Sequence, residues 1–299
     1  MNGLLIIDKP KGLTSHDVVA RIRRILKTKR VGHTGTLDPF ATGVMVVLIG
    51  QATRLAQFLD KDEKEYEAVI RFGFETDTGD LSGKPTGDHG LPDDELARRV
   101  READWKDILA RFRGDLMQVP PMYSAKKIEG KKLYELARKG QMIERKAVPV
   151  TVRELELLAL DQPPACTVRI RVACSAGTYI RALAEDIGRS VGVGAHLSEL
   201  RRTRAGRFEI SQAVTIEALG SLLDPSSSII PMSEAAAHLR EFVLTSDRTA
   251  KTKNGLSTRT DEALENGEAV RMLDEQGELI AIGEYISSEK IVQPKVVFG

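Results

Sequence analysis

The sequence predicts an α+β protein that ends in a small β-rich module, and three observations carry that expectation. Strand-like runs alternate along the chain with stretches whose apolar residues recur at helical spacing. The composition shifts after Ile216, where Leu219 to Pro231 is rich in Ser and Pro and reads as a linker with some helix. From about residue 241 only short strands and turns are legible, which suggests a separate module of about 60 residues. A chain of 299 residues suits one large domain or two unequal ones and can bury a sizeable core.

Residues 3–8 read as a buried strand, closed by the turn residues Lys9-Pro10-Lys11-Gly12. Thr14 or Ser15 can cap a helix in which Val18, Val19, Ile22, Ile25 and Leu26 recur at helical spacing. Arg21, Arg23, Arg24 and Lys27 occupy the rest of that helix. The stretch from Gly32 to Gly43 is too rich in glycine and proline for a plain helix or strand, and it carries one carboxylate, Asp38. The apolar run Val44–Ile49 follows at once, so a rigid loop delivers an acid from the edge of a buried strand. Residues 53–60 look like a short helix. Residues 64–74 alternate, with Tyr66, Ala68, Ile70, Phe72 and Phe74 on one side.

Thr76 to Gly90 is a turn-rich loop, and a helix opens near Pro92 and runs to about Arg113 with a break near Asp104. Residues 114–130 read as irregular around Pro120-Pro121, leaving Tyr123, Lys126 and Lys127 exposed, and a basic helix over about 131–139 follows. Residues 148–160 and 165–174 read as strands, the second with Cys166, Val168, Ile170, Val172 and Cys174 inward. Gly177 turns the chain into a helix with Ile180, Leu183, Ala184 and Ile187 on its inner face. Near the end, Leu279 to Tyr285 alternates after a turn at Gln276-Gly277, and Lys290 to Phe298 forms a last strand.

The net charge is +1, so the chain is no polycation, but the charge is unevenly spread. Residues 1–60 carry +5, residues 126–146 form a second basic block, and Arg201, Arg202, Arg204 and Arg207 a third. Such patches in a neutral chain fit a polyanionic substrate that covers part of the surface. Cys166 and Cys174 lie eight apart on one strand face, roughly 26 Å, which is too far for a disulfide or a shared metal. They read as buried thiols in a reducing compartment. The apolar run Leu4–Ile7 ends at Asp8, which makes no signal peptide, and no stretch is long enough to span a bilayer. The expectation is a cytoplasmic protein.

No phosphate-binding Gly-x-x-x-x-Gly-Lys loop, no Gly-x-Gly-x-x-Gly and no Gly-x-Ser-x-Gly elbow occurs, and the five histidines have no metal-ligand spacing. The chemistry is therefore expected to run on carboxylate, arginine, tyrosine and histidine, with no metal and no organic cofactor. Four segments stand out: Asp8-Lys9-Pro10, the Asp38 loop, Lys64-Glu65-Tyr66, and Gly177-Thr178-Tyr179-Ile180-Arg181. Each sits at a strand end or a helix start, where side chains can converge on one cleft.

Together these strings resemble the TruB family of tRNA pseudouridine 55 synthases, in matching order over roughly residues 3–210. Gly194-Ala195-His196-Leu197 and Leu200-Arg201-Arg202 match as well. The resemblance implies the pseudouridine synthase fold, a mixed, mostly antiparallel central sheet with flanking helices, followed by a small C-terminal β-barrel. It implies an isomerase that breaks the glycosidic bond of a T-loop uridine in tRNA, turns the uracil and rejoins it through C5.

By motif position the resemblance makes Asp38 the catalytic carboxylate. Such a group can attack carbon or take a proton from the ribose. Attack at C1′, attack at C6 and the proton-abstraction (glycal) route all stay open. Arg181 is the implied ion-pair partner, near the first turn of a helix, where it would orient the carboxylate and keep it ionised. Tyr66 is implied to lie against the flipped uracil, with a part in removing the C5 proton. Tyr179 would touch the base or its ribose, and Leu200 would form an apolar wall. His33 would fill the vacancy or stack once the nucleotide is flipped out. Lys9 is counted as a neighbour of the bound substrate that supports the site rather than reacts.

The helix at 15–27, the 126–146 block and Arg201–Arg207 are expected to hold phosphates, which position the RNA. The implied division is a catalytic domain over 1–230, with an inserted clamp at 114–146 over the T-loop, and a PUA-like RNA-binding module over 240–299. That module carries a net charge of −3, which counts against RNA contact there. The implied partner is the tRNA T-stem-loop, bound by a monomer with no obligatory protein partner. Two rival readings remain: a non-catalytic tRNA-binding or folding protein on the same scaffold, and a pseudouridine synthase acting on another RNA.

Overall fold

A computed structural model of the chain describes every residue except 60–61, 87–90, 125, 129–130, 138–139, 142 and 162–165. Strand β1 (Gly3–Lys9) leads to helix α1 (Ser15–Ile25), which Thr14 caps: the Thr14 hydroxyl accepts from the Asp17 N–H, and the Asp17 carboxylate accepts from the Thr14 N–H. Strand β2 (Val31–His33), the Asp38 loop and strand β3 (Thr42–Ile49) follow, then a short 3₁₀ turn (Gly50–Leu55), α2 (Ala56–Leu59) and β4 (Lys64–Phe72). The expected helix after Pro92 is two helices, α3 (Asp93–Glu102) and α4 (Trp105–Ala110), with Asp104 capping the second. Next come β5 (Gly114–Gln118), the two-residue strands β6 (Lys127–Ile128) and β7 (Lys131–Lys132), α5 (Leu133–Ala137), β8 (Val148–Leu160) and β9 (Thr167–Cys174). Helix α6 (Ile180–Val191), β10 (Ala195–Ala205), β11 (Phe208–Glu209), α7 (Ile216–Ser221) and α8 (Met232–Ala235) lead to the C-terminal part. That part holds β12 (Arg240–Val243), α9 (Ser246–Lys253), β13 (Thr258–Arg259), β14 (Ala269–Leu273), β15 (Leu279–Ile286) and β16 (Ile291–Val297).

The architecture is α+β. The main sheet runs β1-β3-β10-β4-β9-β8-β5, with β2 beside β3 and β11 beside β10. Every pairing in it is antiparallel except β3 with β10, a short parallel contact of Thr42 with Arg201 and Gly43 with Arg202. The sheet is thus two antiparallel halves joined at one narrow seam. Gly43 has φ +100°, and a Cβ there would stand 2.2 Å from the Arg202 carbonyl oxygen, so the seam needs glycine.

Burial explains the sequence patterns. Strands β1 and β3 are covered on both faces, which is why they read as unbroken apolar runs. Leu5, Ile7, Met45 and Val47 pack against α1 and α7, while Leu4, Ile6, Val44 and Val46 face the other way. That second face meets Leu273, Leu279, Ile282, Val296 and Phe298 of the C-terminal sheet, whose strand order is β12-β14-β15-β16-β13. Strand β4 alternates because one face only is covered: Tyr66, Ala68, Ile70 and Phe72 pack under α3, α4 and α6.

Three expectations change, and one element is added that the sequence left unassigned. Residues 114–118, read as irregular, are an edge strand on β8. The C-terminal part contains a helix, α9, capped by Thr245, besides its strands and turns. The stretch from Ala195 to Ala205 is a central strand that its charged residues had hidden. Tyr123 and Lys126 are half-buried rather than exposed. Parts of the 114–146 segment, and of the basic helix expected at 131–139, lie outside the described residues. Among the described residues no helix is long and apolar enough to cross a membrane.

Candidate active site

The Asp38 loop lies over the seam and is fastened from below. Lys9 Nζ, fully buried at the end of β1, donates to the carbonyls of Ala41 (2.6 Å), Pro10 (3.1 Å) and Pro39 (3.3 Å). Burial pushes the Lys9 ammonium down to about 8, with the Asp38 carboxylate opposing that shift and the Arg202 charge adding to it. Ser15 adds a second fastening, accepting from the Leu37 N–H at 2.9 Å and lying 3.2 Å from the Leu37 carbonyl. The Gly12 N–H donates to Pro39 O at 2.7 Å, and Leu37, Phe40 and Ala41 sink into the main core. Asp38 is left at the surface of a loop with little freedom, its side chain 31% exposed.

Arg181, in the first turn of α6, meets Asp38 with two nitrogens: Nε to Oδ2 at 2.9 Å and Nη2 to Oδ1 at 3.3 Å. The guanidinium is buried and otherwise spent on protein. It donates to Thr78 O and Tyr123 O, both at 2.7 Å, and its Nη1 lies 3.6 Å from Asp80 Oδ2. Asp80 is buried too, and its other oxygen accepts from Thr78 Oγ1 and from the N–H and hydroxyl of Ser82. Burial raises the Asp38 carboxyl above its ordinary range and Asp80 adds to that; Arg181 and Lys9 pull it back toward ionisation.

A hollow of about 300 Å³ opens beside this pair, lined among others by Asp38, Tyr66, Tyr179, Arg181, Leu200 and Arg202. A second of about 520 Å³ lies on the other side of Asp38, with His16, Phe40, Asp80 and Tyr123 in its walls. Asp38, Arg181 and Ser124 border both. Ser124 Oγ is buried and lacks a hydrogen-bond partner among the described residues, which leaves a polar atom for something that enters.

Tyr66 stands in the first hollow from β4. Burial pushes its phenol up, and the neighbouring Arg202 opposes that. Leu200 comes from β10 and is buried. Tyr179 precedes α6, and its backbone is gripped on both sides by Gln118 of β5, with Tyr179 N–H to Oε1 at 2.7 Å and Nε2 to Tyr179 O at 3.0 Å. Five of the seven expected site residues therefore share one hollow: Asp38, Arg181, Tyr66, Tyr179 and Leu200. Lys9 and His33 line neither hollow. Lys9 is beneath the loop. His33 ends β2, its Nδ1 accepting from the Gly35 N–H at 3.2 Å and its ring 5.9 Å edge-on from that of His16; burial lowers its pKa, which favours the neutral ring.

Three contributors had no distinct signal in the sequence. Gln118 and Ser124 lay in a stretch read as irregular, and Asp80 in a turn-rich loop. In the basic cluster at 201–204, Arg202 is buried in the wall of the hollow, Arg201 makes a two-pronged pair with Asp8 (2.7 and 3.0 Å), and Arg204 pairs with Glu63 at 2.7 Å. These arginines are engaged within the fold, although the Arg201 side chain stays 40% exposed. Cys166 and Cys174 are free and buried.

Comparison with known proteins gives a family for the whole chain. Residues 23–180 match the model of the TruB family pseudouridylate synthase N-terminal domain, and 181–249 that of the tRNA pseudouridylate synthase B C-terminal domain. The chain is 43% identical over 291 residues to tRNA pseudouridine synthase B of Solibacter usitatus (strain Ellin6076), covering 96% of each chain. It is 38% identical over 303 residues to the protein of that name from Pseudomonas aeruginosa (strain UCBPP-PA14), covering 99% of this chain and 96% of that one. Among solved structures, an H/ACA RNP bound to a substrate RNA containing 2′-deoxyuridine superposes with TM-score 0.73 at 27% identity, over 99% of this chain and 85% of the other. A Cbf5-Nop10-Gar1 complex gives 0.72 at 28%, with the same coverage.

Proposed function

The chain belongs to the TruB family of pseudouridylate synthases and isomerises uridine to pseudouridine in tRNA, and from that premise we propose that its target is the T-loop uridine at position 55, with Asp38 as the catalytic carboxylate. One observation carries the reading: a carboxylate held by a spent guanidinium keeps an open edge toward a hollow that also contains a tyrosine and an apolar wall. The target uridine leaves the stack and enters that hollow, where Leu200 and Tyr66 flank the uracil. The N1–C1′ bond breaks, the uracil turns, and C5 joins C1′. The C5 proton then leaves, Tyr66 being the group at hand, and N1 gains a proton, so atoms balance for an isomerisation. Asp38 serves by attack at C1′, by attack at C6, or by taking a ribose proton; the hollow suits each.

Arg181 orients Asp38 and Tyr179 contacts the nucleotide. Ser124, with its unpartnered hydroxyl, supplies a further polar contact. We assign Lys9 to support of the loop and His33 to the rim, near the place the flipped nucleotide vacates. Helix α1 and the 126–146 segment meet phosphates, and residues 114–146 close over the T-loop. The chain divides functionally into a catalytic part, 1–230, and a PUA-like part, 240–299. It acts in the cytoplasm as a monomer without a protein partner. A T-stem-loop RNA tritiated at uracil C5 tests the core of this. Wild-type protein releases tritium; Asp38→Asn binds the RNA but loses release by on the order of 10³-fold or more. Undiminished release from the variant would remove Asp38 from the chemistry, and absent release from both would favour a pure binder.

A further inference from the structure

Tyr66 and Arg202 are direct partners across the antiparallel pairing of β4 and β10, so their side chains rise from one face of the sheet. Both line the hollow that holds Asp38. Arg202 is only 3% exposed, and among the described residues no carboxylate pairs with it. Its Nε donates to Val44 O at 2.6 Å and its Nη2 reaches Gly35 O at 3.4 Å. The guanidinium thus touches β3 and the Asp38 loop, and Arg202 shares with Tyr66 one sheet face and one hollow. A buried cation without a counter-charge is costly to maintain. A site where negative charge develops offsets that cost.

We propose that Arg202 is a positioning residue of the reaction: its guanidinium holds the Tyr66 oxygen toward the base and stabilises negative charge on it. The inference rests on the reading of Tyr66 as the group beside the uracil. The site then has two arginines with divided tasks. Arg181 is committed to the aspartate and Arg202 to the tyrosine, and the seam at Gly43 brings the second arginine's backbone against the strand that carries the aspartate loop. Burial works against an ionised Tyr66, and the Arg202 charge is the largest opposing influence.

The test places a difluorotyrosine, which ionises in a pH range that folded proteins tolerate, at position 66 of the full chain. Its fluorine resonance is followed against pH in the otherwise unaltered protein, in Arg202→Gln and in Arg202→Lys. Arg202→Gln should move the ionisation midpoint upward by about tenfold or more in proton concentration, and Arg202→Lys by less. If the Gln variant does not fold, the Lys variant decides alone, because a purely structural role would leave the midpoint in place. An unmoved midpoint in the folded variants overturns the proposal. In the RNA assay Arg202→Gln should lower kcat about tenfold or more with RNA affinity retained; an unchanged kcat also overturns it. The fluorine titration needs no RNA and no Asp38. A failure of the Asp38 reading, seen as full release from Asp38→Asn, is therefore distinguishable from a failure here.

Discussion

Arg181 Nε stands 2.9 Å from Asp38 Oδ2 although 143 positions separate the two along the chain. The loop before β3 supplies one and the first turn of α6 the other. The guanidinium is closed in by two carbonyls and a second carboxylate, whereas the Asp38 carboxylate keeps an open edge. The pair is therefore asymmetric: the cation is locked by protein and the anion is offered to whatever enters.

Arg181→Lys should break that arrangement in two measurable ways. A single ammonium cannot serve Asp38, Thr78 O and Tyr123 O together in the geometry of a planar fork. Tritium release should fall by about 10²-fold or more. Urea unfolding should show a loss of roughly 2–4 kcal/mol, because Asp80 and the two carbonyls are left poorly satisfied in a buried place. Wild-type stability in this variant would contradict the description of Arg181 as fully engaged.

The pH dependence of release follows from the sign of the Asp38 shift. On the proposed role of Asp38 the reactive form is the carboxylate, and burial raises its pKa above 3.8. As pH falls, the proton therefore returns earlier than it would to a free aspartate. The acid limb of the rate profile should have its midpoint above 3.8, and any Arg181→Lys activity should show that midpoint higher still, since Arg181 opposes the shift. A limb at or below 3.8 would contradict this.

Glu185 gives a stability prediction. It lies one turn beyond Arg181 on α6, near Arg189, Glu75 and Asp186, and burial pushes it up to about 7 from 4.5. A carboxyl whose folded pKa is raised favours the fold while protonated. Its contribution is present below about 4.5 and declines as pH rises to about 7. Glu185→Gln should accordingly raise stability at pH 8 by up to about 3 kcal/mol and change it little near pH 4.5, read as a pH-dependent difference in Tm. An equal effect at both values would place the cause in packing rather than in charge.

Gly43→Ala should be among the most damaging single-methyl changes in the chain. The positive φ disfavours any side chain, and the new Cβ would meet Arg202 backbone, which cannot swing aside. A loss of roughly 3 kcal/mol or more is expected in denaturant unfolding. Tritium release should fall as well, since the seam underlies both Tyr66's partner and the Asp38 loop.

Much of this was legible in the residues, and the exceptions share a cause. Strands β1, β3 and β4 declare themselves because apolar runs and alternation report burial on two faces or one. The Thr14 and Asp104 caps and the glycine-rich Asp38 loop are equally local signals. Strand β10 was hidden because Arg201, Arg202 and Arg204 interrupt its pattern, and their partners Asp8, Tyr66 and Glu63 lie far away in the chain. A cluster of arginines reads as a charged surface segment, not as a strand, until the pairing of strands is known. Gln118 and Asp80 were illegible for the same reason: each acts on α6, and nothing local links them to it.

Phe298 and Val296 lie in the same apolar cluster as Leu4, Ile6 and Val44. During synthesis the opening strands emerge first; Ala52, Leu55 and Phe208 bring part of the cover for this face, and Leu273, Val296 and Phe298 bring the rest much later. A chain cut short before β14 would display unfinished hydrophobic sheet to the quality-control machinery, and it should be insoluble rather than merely shortened.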